Sequence, residues 1–308
     1  MEFKLKPADR VEITVLVDNY IDIFVPPATS VDRRLLFDPH RQIMAEHGFS
    51  CLVSIFSGKE EHRVLLDAGF SRECMAWNAR QLGISLQSVE AVVLSHGHFD
   101  HTGGLYDFFS GENRKVPFVF HPDALLLRRF NTPNGPVELP LIDVESLKYA
   151  GAEMLSRSGP SNLADGYLLV TGEVERTVEF ETGMPGMEIK RDGKWTPDLI
   201  LDDQAIVVNV KGKGLIIISG CAHAGIVNTV EYAKKITGIR NVFAVVGGFH
   251  LTGPVFEPRI KPTIDAMKAA NPAYIIPMHC TGWTAINSFM ASMPEKCILN
   301  TVGTTYVF

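Results

Sequence analysis

The 308-residue sequence predicts an α/β fold made of two halves of one style. Three observations carry this. Two hairpin signals stand far apart in the chain, at Ser57-Gly58-Lys59-Glu60 and Lys211-Gly212-Lys213-Gly214. Each is followed by short β-branched runs that alternate with segments of helical spacing. No low-complexity linker separates the halves.

In chain order, Val11–Val17 alternates polar and apolar residues and reads as a strand. Ser50–Phe56 and Arg63–Leu66 are the arms of the first hairpin. Ala91–Leu94 suits a short buried strand, and Phe118–Phe120 another. Ala124–Phe130 is expected to be a short helix after His121-Pro122. The irregular stretch 131–194 is rich in Gly, Pro and Glu; strands are expected at Tyr167–Val170 and Val174–Glu181, with loops forming part of a pocket wall. Ala205–Val210 and Leu215–Ser219 form the second hairpin. Gly225–Thr237 has apolar residues at helical spacing. A strand at Val242–Val246, a helix at Arg259–Ala270, a strand at Tyr274–Ile276, a helix at Trp283–Met290 and a terminal strand at Thr304–Phe308 complete the chain.

Composition narrows the function classes. The 29 basic side chains are outnumbered by 35 acidic ones, for a formal charge of −6. Nucleic-acid backbones call for a basic footprint, so no nucleic-acid partner is expected. No run approaches the ~18–20 apolar residues of a membrane span, and no membrane partner is expected. The first nineteen residues lack a signal-peptide pattern, so the expected address is cytoplasmic. Cys51, Cys74, Cys221, Cys280 and Cys297 are odd in number and scattered, which fits reduced thiols rather than a disulfide framework. Cys221 and Cys280 each stand close to a histidine.

The densest chemical signal is Ser95-His96-Gly97-His98-Phe99-Asp100-His101-Thr102-Gly103-Gly104. Three histidines and an aspartate fall within six residues, directly after a predicted buried strand. Imidazole and carboxylate suit Zn²⁺, Mn²⁺ or Fe²⁺. His96 and His98 can share one ion, and Asp100 and His101 a second. His223, in Ser219-Gly220-Cys221-Ala222-His223, and His279, in Pro277-Met278-His279-Cys280, also follow predicted strands. Strand ends along one sheet edge are where open α/β architectures place their sites.

The HxHxDH string followed by Thr-Gly-Gly resembles the metal-binding signature of the metallo-β-lactamase-fold hydrolases. That resemblance implies a four-layer αββα sandwich. It also implies one or two divalent ions, Zn first with Mn or Fe as alternatives. His96, His98 and His223 would hold one ion, and Asp100, His101 and His279 the other. Asp67, in Leu65-Leu66-Asp67-Ala68-Gly69, would support the metal loop without ligating. The sequence departs from the pattern in two places. Gly220-Cys221 stands where many relatives have a Gly-Asp pair whose carboxylate bridges two metals, so Cys221 is a further candidate ligand. No histidine occurs between His121 and His223, so His223 takes over a ligand role found earlier in many relatives.

Further strings narrow the resemblance. Val17-Asp18-Asn19, Ala45-Glu46-His47-Gly48, Asp202-Asp203-Gln204-Ala205, Gly247-Gly248-Phe249-His250-Leu251 and His279-Cys280-Thr281-Gly282 are similar to the branch of 7,8-dihydropterin-6-methyl-4-(β-D-ribofuranosyl)aminobenzene-5′-phosphate synthases. The branch implies a small, phosphorylated substrate. Its transfer chemistry has metals holding diphosphate oxygens, whereas a plain hydrolase would use metal-activated water on an ester, lactone, thioester or phosphodiester. A non-catalytic metal-bound binding module is the alternative of another class. Asp100 is the expected catalytic carboxylate. His250 is expected at the same mouth as an acid or phosphate donor, and Asp203 to orient a metal-bound histidine. His47 is a weaker candidate for the mouth. His40, His62 and His121 are expected to be packing or surface residues. Arg128, Arg129, Arg176, Arg191 and Arg259 are candidate phosphate contacts among which the sequence does not choose. The expected ligands span 96–279, so neither half can build the site alone and residues 1–308 are read as one domain.

Overall fold

A computed structural model describes residues 2–35, 37–111 and 115–308. Two mixed sheets stack face to face. The first runs, in spatial order, Ala152–Ser156, Val116–Phe120, Ala91–Val93, Glu60–Leu66, Ser50–Ser57, Arg10–Val17, Thr305–Val307 and Asp32–Arg33. The second runs Ser161–Leu163, Leu168–Val170, Ala205–Val210, Gly214–Ser219, Val242–Gly248 and Tyr274–Met278, with Pro7–Ala8 added beside Ala205–Val210.

Side-chain alternation builds the layers, because successive residues of a strand face opposite sides. Val11, Ile13, Val15, Val53 and Ile55 of the first sheet meet Ile206, Val208, Ile216, Ile218 and Val246 of the second in one buried core. The intervening residues Val207, Ile217, Val245 and Ile275 face outward onto the helices Ile226–Thr237, Ile260–Ala270 and Trp283–Ser292. On the other flank, Leu52, Leu65, Val92 and Phe118 pack on the helices Cys74–Gln81, Leu105–Ser110 and Val144–Tyr149. The result is the expected αββα order of layers.

Both hairpins form as the turn chemistry predicts, Ser50–Ser57 with Glu60–Leu66 and Ala205–Val210 with Gly214–Ser219. Two expectations fail. Ala124–Phe130 is not an α-helix: a 3-10 turn spans Pro122–Leu125, and the chain becomes a strand at Arg128–Thr132. Pro133-Asn134 then turns it into Gly135–Glu138, and with Met187–Arg191 and Lys194–Pro197 these strands form a third, four-stranded sheet. Val174–Glu181 is not a strand. The Asn228 side chain takes up the backbone N–H groups of Thr177 and Val178, which are therefore withheld from a ladder. The five cysteines are buried free thiols. Among the described residues no helix is long and apolar enough to cross a membrane.

Arg128 ties the third sheet to the core. Its guanidinium is buried, donates from Nε to Asp198 at 2.7 Å and also bonds Asp202. The other oxygen of Asp202 accepts from Gly97 N at 2.7 Å, inside the histidine cluster. Arg128→Leu would leave two carboxylates buried without their cation. Breaking buried pairs in this way costs about 3–5 kcal/mol. Urea denaturation is expected to record a loss of that size, and a loss below about 1 kcal/mol would contradict this role.

Candidate metal centre

The site gathers at the ends of strands from both sheets. Asp67 follows Glu60–Leu66, His96 and His98 follow Ala91–Val93, Cys221 and His223 follow Gly214–Ser219, His250 follows Val242–Gly248, and His279 follows Tyr274–Met278. Asp67, Ala222, His250 and His279 all have positive φ, between 44° and 58°. Non-glycine residues pay for that conformation and keep it only where surrounding bonds enforce it.

At Asp67 the enforcing bonds are explicit. Oδ1 accepts from Ser95 N at 2.7 Å, and Oδ2 accepts from Ser95 Oγ at 2.6 Å and from His101 Nδ1 at 2.7 Å. Gly220 packs against this knot, since a Cβ there would lie 2.1 Å from Ser95 Oγ. With its proton given to Asp67, Ser95 Oγ accepts from His96 Nδ1 at 2.9 Å. His279 Nδ1 donates to Asn19 Oδ1 at 3.0 Å, and its backbone N–H donates to Asp18 Oδ1 at 2.8 Å. The same device therefore acts on His96, His101 and His279. Each donates from Nδ1 to an oxygen, which turns Nε2 inward as the atom available to a metal, the arrangement metal-binding imidazoles commonly use.

The inward atoms form two groups. His96, His98 and His223 bring ligand atoms within 4.8 Å of one another, as do Asp100, His101, Cys221 and His279. These are the two sets expected from the sequence, with Cys221 added to the second. Its Sγ lies 3.2 Å from His101 Nε2. Cys221, His223 and His250 make a third, overlapping group. Nε2 of His96, His98 and His279 and both ring nitrogens of His223 are buried with no hydrogen-bond partner in the protein. Buried polar atoms are nearly always paired, and convergent imidazole, carboxylate and thiol donors fit a divalent ion of the Zn, Mn or Fe type.

The electrostatics agree with that fit. Burial, together with the Arg128 charge, pushes His98 down to about 3. Burial and the neighbouring imidazoles hold His96 and His223 well below the ordinary histidine range, so all three are neutral at pH 7 and able to ligate. His101 behaves oppositely. Burial disfavours its charge, but Asp67 and Asp100 outweigh burial and raise it to about 9. Asp100 is also buried, yet His101 and His279 hold it well below the ordinary carboxylate range. Asp67 and Asp100 thus favour positive charge at His101, which a divalent ion on its Nε2 would supply in place of the proton.

Residues 48–123 match the model of the metallo-beta-lactamase superfamily. The chain is 36% identical over 259 residues to the 7,8-dihydropterin-6-methyl-4-(beta-D-ribofuranosyl)-aminobenzene-5′-phosphate synthase of Methanocaldococcus jannaschii, covering 82% of this chain and 86% of that protein. The chain belongs to the metallo-β-lactamase superfamily. Among solved structures, Tm1679, described as a metal-dependent hydrolase of the β-lactamase superfamily, superposes with a TM-score of 0.74 at 25% identity, over 96% of this chain and 98% of that one. The metallo-β-lactamase-fold protein YhfI of Bacillus subtilis has a TM-score of 0.52 at 12% identity, covering 97% of this chain and all of that one, and supports the fold alone.

Within this superfamily fold the remaining candidates take definite places. His250 reaches the mouth, its ring 4.2 Å from that of His223 and 4.6 Å from that of Phe256. Asp203 is buried beside His223, where burial pushes it up to about 7. It accepts from Ala224 N at 2.7 Å and from the backbone of His223, and its other oxygen is unpartnered. Asp203 therefore acts on the main chain beside His223, and the two ring nitrogens of His223 stay clear of it. His47 is largely exposed at the mouth. It accepts from Asn19 Nδ2 at 3.3 Å and reaches Asp100 Oδ2 with Nε2 at 3.4 Å, a contact that raises its pKa. His62 is spent on Glu90, His121 caps a turn, and His40 is exposed. The five candidate arginines bond Asp198 and Asp202 (Arg128), Glu188 (Arg129), Asp123 (Arg191), the Leu199 and Ile200 carbonyls (Arg176), and Gly183 and Thr182 (Arg259). Only Arg259 lines the small cavity that His223 and His250 share.

Sequence reasoning assigned no role to Asp18, Asn19 or Ser95, which orient His279 and His96. Their signal was position alone: Ser95 precedes the cluster and Asp18-Asn19 follows a strand. Asp67→Asn removes the carboxylate charge opposite His101, and Asn19→Ala removes the acceptor for His279. Loss of such supporting groups lowers metal affinity about 10–100-fold. Zn²⁺ titration against a chromophoric chelator is expected to report that drop with the circular dichroism spectrum retained. Wild-type affinity in both variants would contradict the orienting role.

Proposed function

We propose that this superfamily enzyme uses its strand-end site on a phosphorylated small molecule, in a transfer like that named for the Methanocaldococcus synthase. One observation carries the reading: the two expected ligand groups meet at one mouth, in a chain 36% identical to that synthase. His96, His98 and His223 would hold one divalent ion, and Asp100, His101 and His279 a second, with Cys221 as a further ligand. Such an ion supplies Lewis acidity toward a phosphoryl oxygen and acidifies water.

The chain's own residues do the rest. Asp100 Oδ2 lies 3.3 Å from His279 Nε2 and 3.4 Å from His47 Nε2, so it stands between the buried donors and the exposed imidazole. It is placed to accept a proton from the attacking group, and His47 to pass one to solvent. His250, beside His223, is placed to donate a hydrogen bond to a departing phosphoryl oxygen. Both halves of the chain supply these groups, so residues 1–308 act as one domain in this reading.

A second reading is plain metal-dependent hydrolysis, the activity class named for Tm1679, which covers nearly the whole chain. The two differ in whether water or an organic nucleophile attacks. A panel of phosphodiester, lactone, thioester and dihydropterin diphosphate with its aryl acceptor, assayed with metal restored, separates them. Turnover of the last pair to a joined product is expected. Cleavage of the others without joining would replace transfer by hydrolysis. His98→Ala is expected to lower turnover by at least a hundredfold with the fold retained, and unchanged turnover would overturn the mechanism.

A further inference from the structure

A cleft of about 220 Å³ abuts the His279 end of the ligand cluster and has no part in the chemistry above. Asp18, Asn19 and His279 line it together with the aromatic Tyr20 and Trp283. The two aromatic rings stand 5.8 Å apart and are tilted by 40°, so they do not close on each other as a stacked pair. Trp283 is 57% exposed although it opens a helix in which Ile286 and Phe289 are buried and Met290 partly so. Ile286 and Leu299 add apolar surface inside the cleft.

Besides the inward Nε2 of His279, the side-chain polar groups of Asp18, Asn19 and Asn300 are already committed. Asp18 accepts from Asn19 N, His279 N and Asn300 Nδ2. Asn19 is bonded to His47, His279 and Gly48, and Asn300 Oδ1 accepts from Tyr306. What the cleft still offers is aromatic face and aliphatic surface. Its walls are also fixed. Val302 N donates to the Tyr20 carbonyl at 2.9 Å, and Gly282, at φ 77°, makes the turn from His279 to Trp283 where a Cβ would strike Thr252.

Size limits the occupant. Pockets that enclose whole drug-sized ligands run to about 300–1,000 Å³, so this one takes one or two fused rings and leaves the remainder of a ligand outside. His279 is common to the cleft and the ligand cluster, so a ring seated here lies next to the reacting centre. We infer that the Tyr20–Trp283 cleft is the subsite for a flat aromatic ring of the substrate, held by stacking on Trp283. The inference deepens the proposed transfer and rests on its substrate being aromatic. The ring has two sources in that chemistry, the pterin bicycle and the aminobenzene.

The test uses the full-length protein with Trp77→Phe and Trp195→Phe, in which Trp283 is the remaining tryptophan. It is titrated separately with 6-hydroxymethylpterin and with 4-aminobenzoate while fluorescence is followed. Saturable quenching by one of them is expected, and which one identifies the ring. Calorimetry on the otherwise wild-type chain is expected to give binding at least tenfold weaker in Trp283→Leu and within a few-fold of wild type in Trp283→Phe, with metal content unchanged in both. Quenching by neither probe, or equal binding in Trp283→Leu, overturns the subsite. Quenching in a protein whose substrate panel gives hydrolysis alone would keep the subsite and discard transfer. Joined product formed equally by wild type and Trp283→Leu would do the reverse.

Discussion

The bond between Asp67 and His101 is the constraint on which the rest of the site depends. Asp67 stands at the end of one strand in a conformation that costs energy, and it accepts from Ser95 and His101 at the end of the next. These contacts fix the loop 95–101 as a rigid piece, and through Ser95 they set the tautomer of His96 as well. Gly220 closes the other side, with no room for a side chain. The two sheets thus meet at one buried carboxylate, which explains why ligands from residues 96–101 and from residue 223 can share a spot.

The same knot explains the uneven electrostatics. An unpaired buried nitrogen costs about 1–3 kcal/mol, and several of them converge at this one spot. Coordination removes that cost. One group consists of imidazoles that burial keeps neutral. The other sets a carboxylate beside an imidazole whose neighbours favour positive charge, the charge an ion on its Nε2 would bring.

Much of this was legible in the sequence, because it is local. Hairpins announced themselves through four-residue turns, the outer helices through apolar spacing, and the ligands of 96–101 through density alone. His223 and His279 were legible because strand ends of an α/β sheet share an edge. What was not legible depends on distant partners. Arg128 sits in a segment of helix-forming composition, yet it opens the strand Arg128–Thr132, held by Asp198 and Asp202 some seventy residues away in sequence. Val174–Glu181 has strand-like residues, but Asn228 takes the backbone groups that a ladder would need. Asp203 is legible as a carboxylate near a metal-bound histidine, while its contact with the main chain at Ala224 is set by the turn at Ala222, which composition does not reveal.

The central claim is that these strand ends form a metal centre. Elemental analysis of protein purified without chelator tests it most directly. The account predicts at least one equivalent of Zn, Mn or Fe per chain, with a lower content in His98→Ala. Less than about a tenth of an equivalent after growth in metal-replete medium would contradict it.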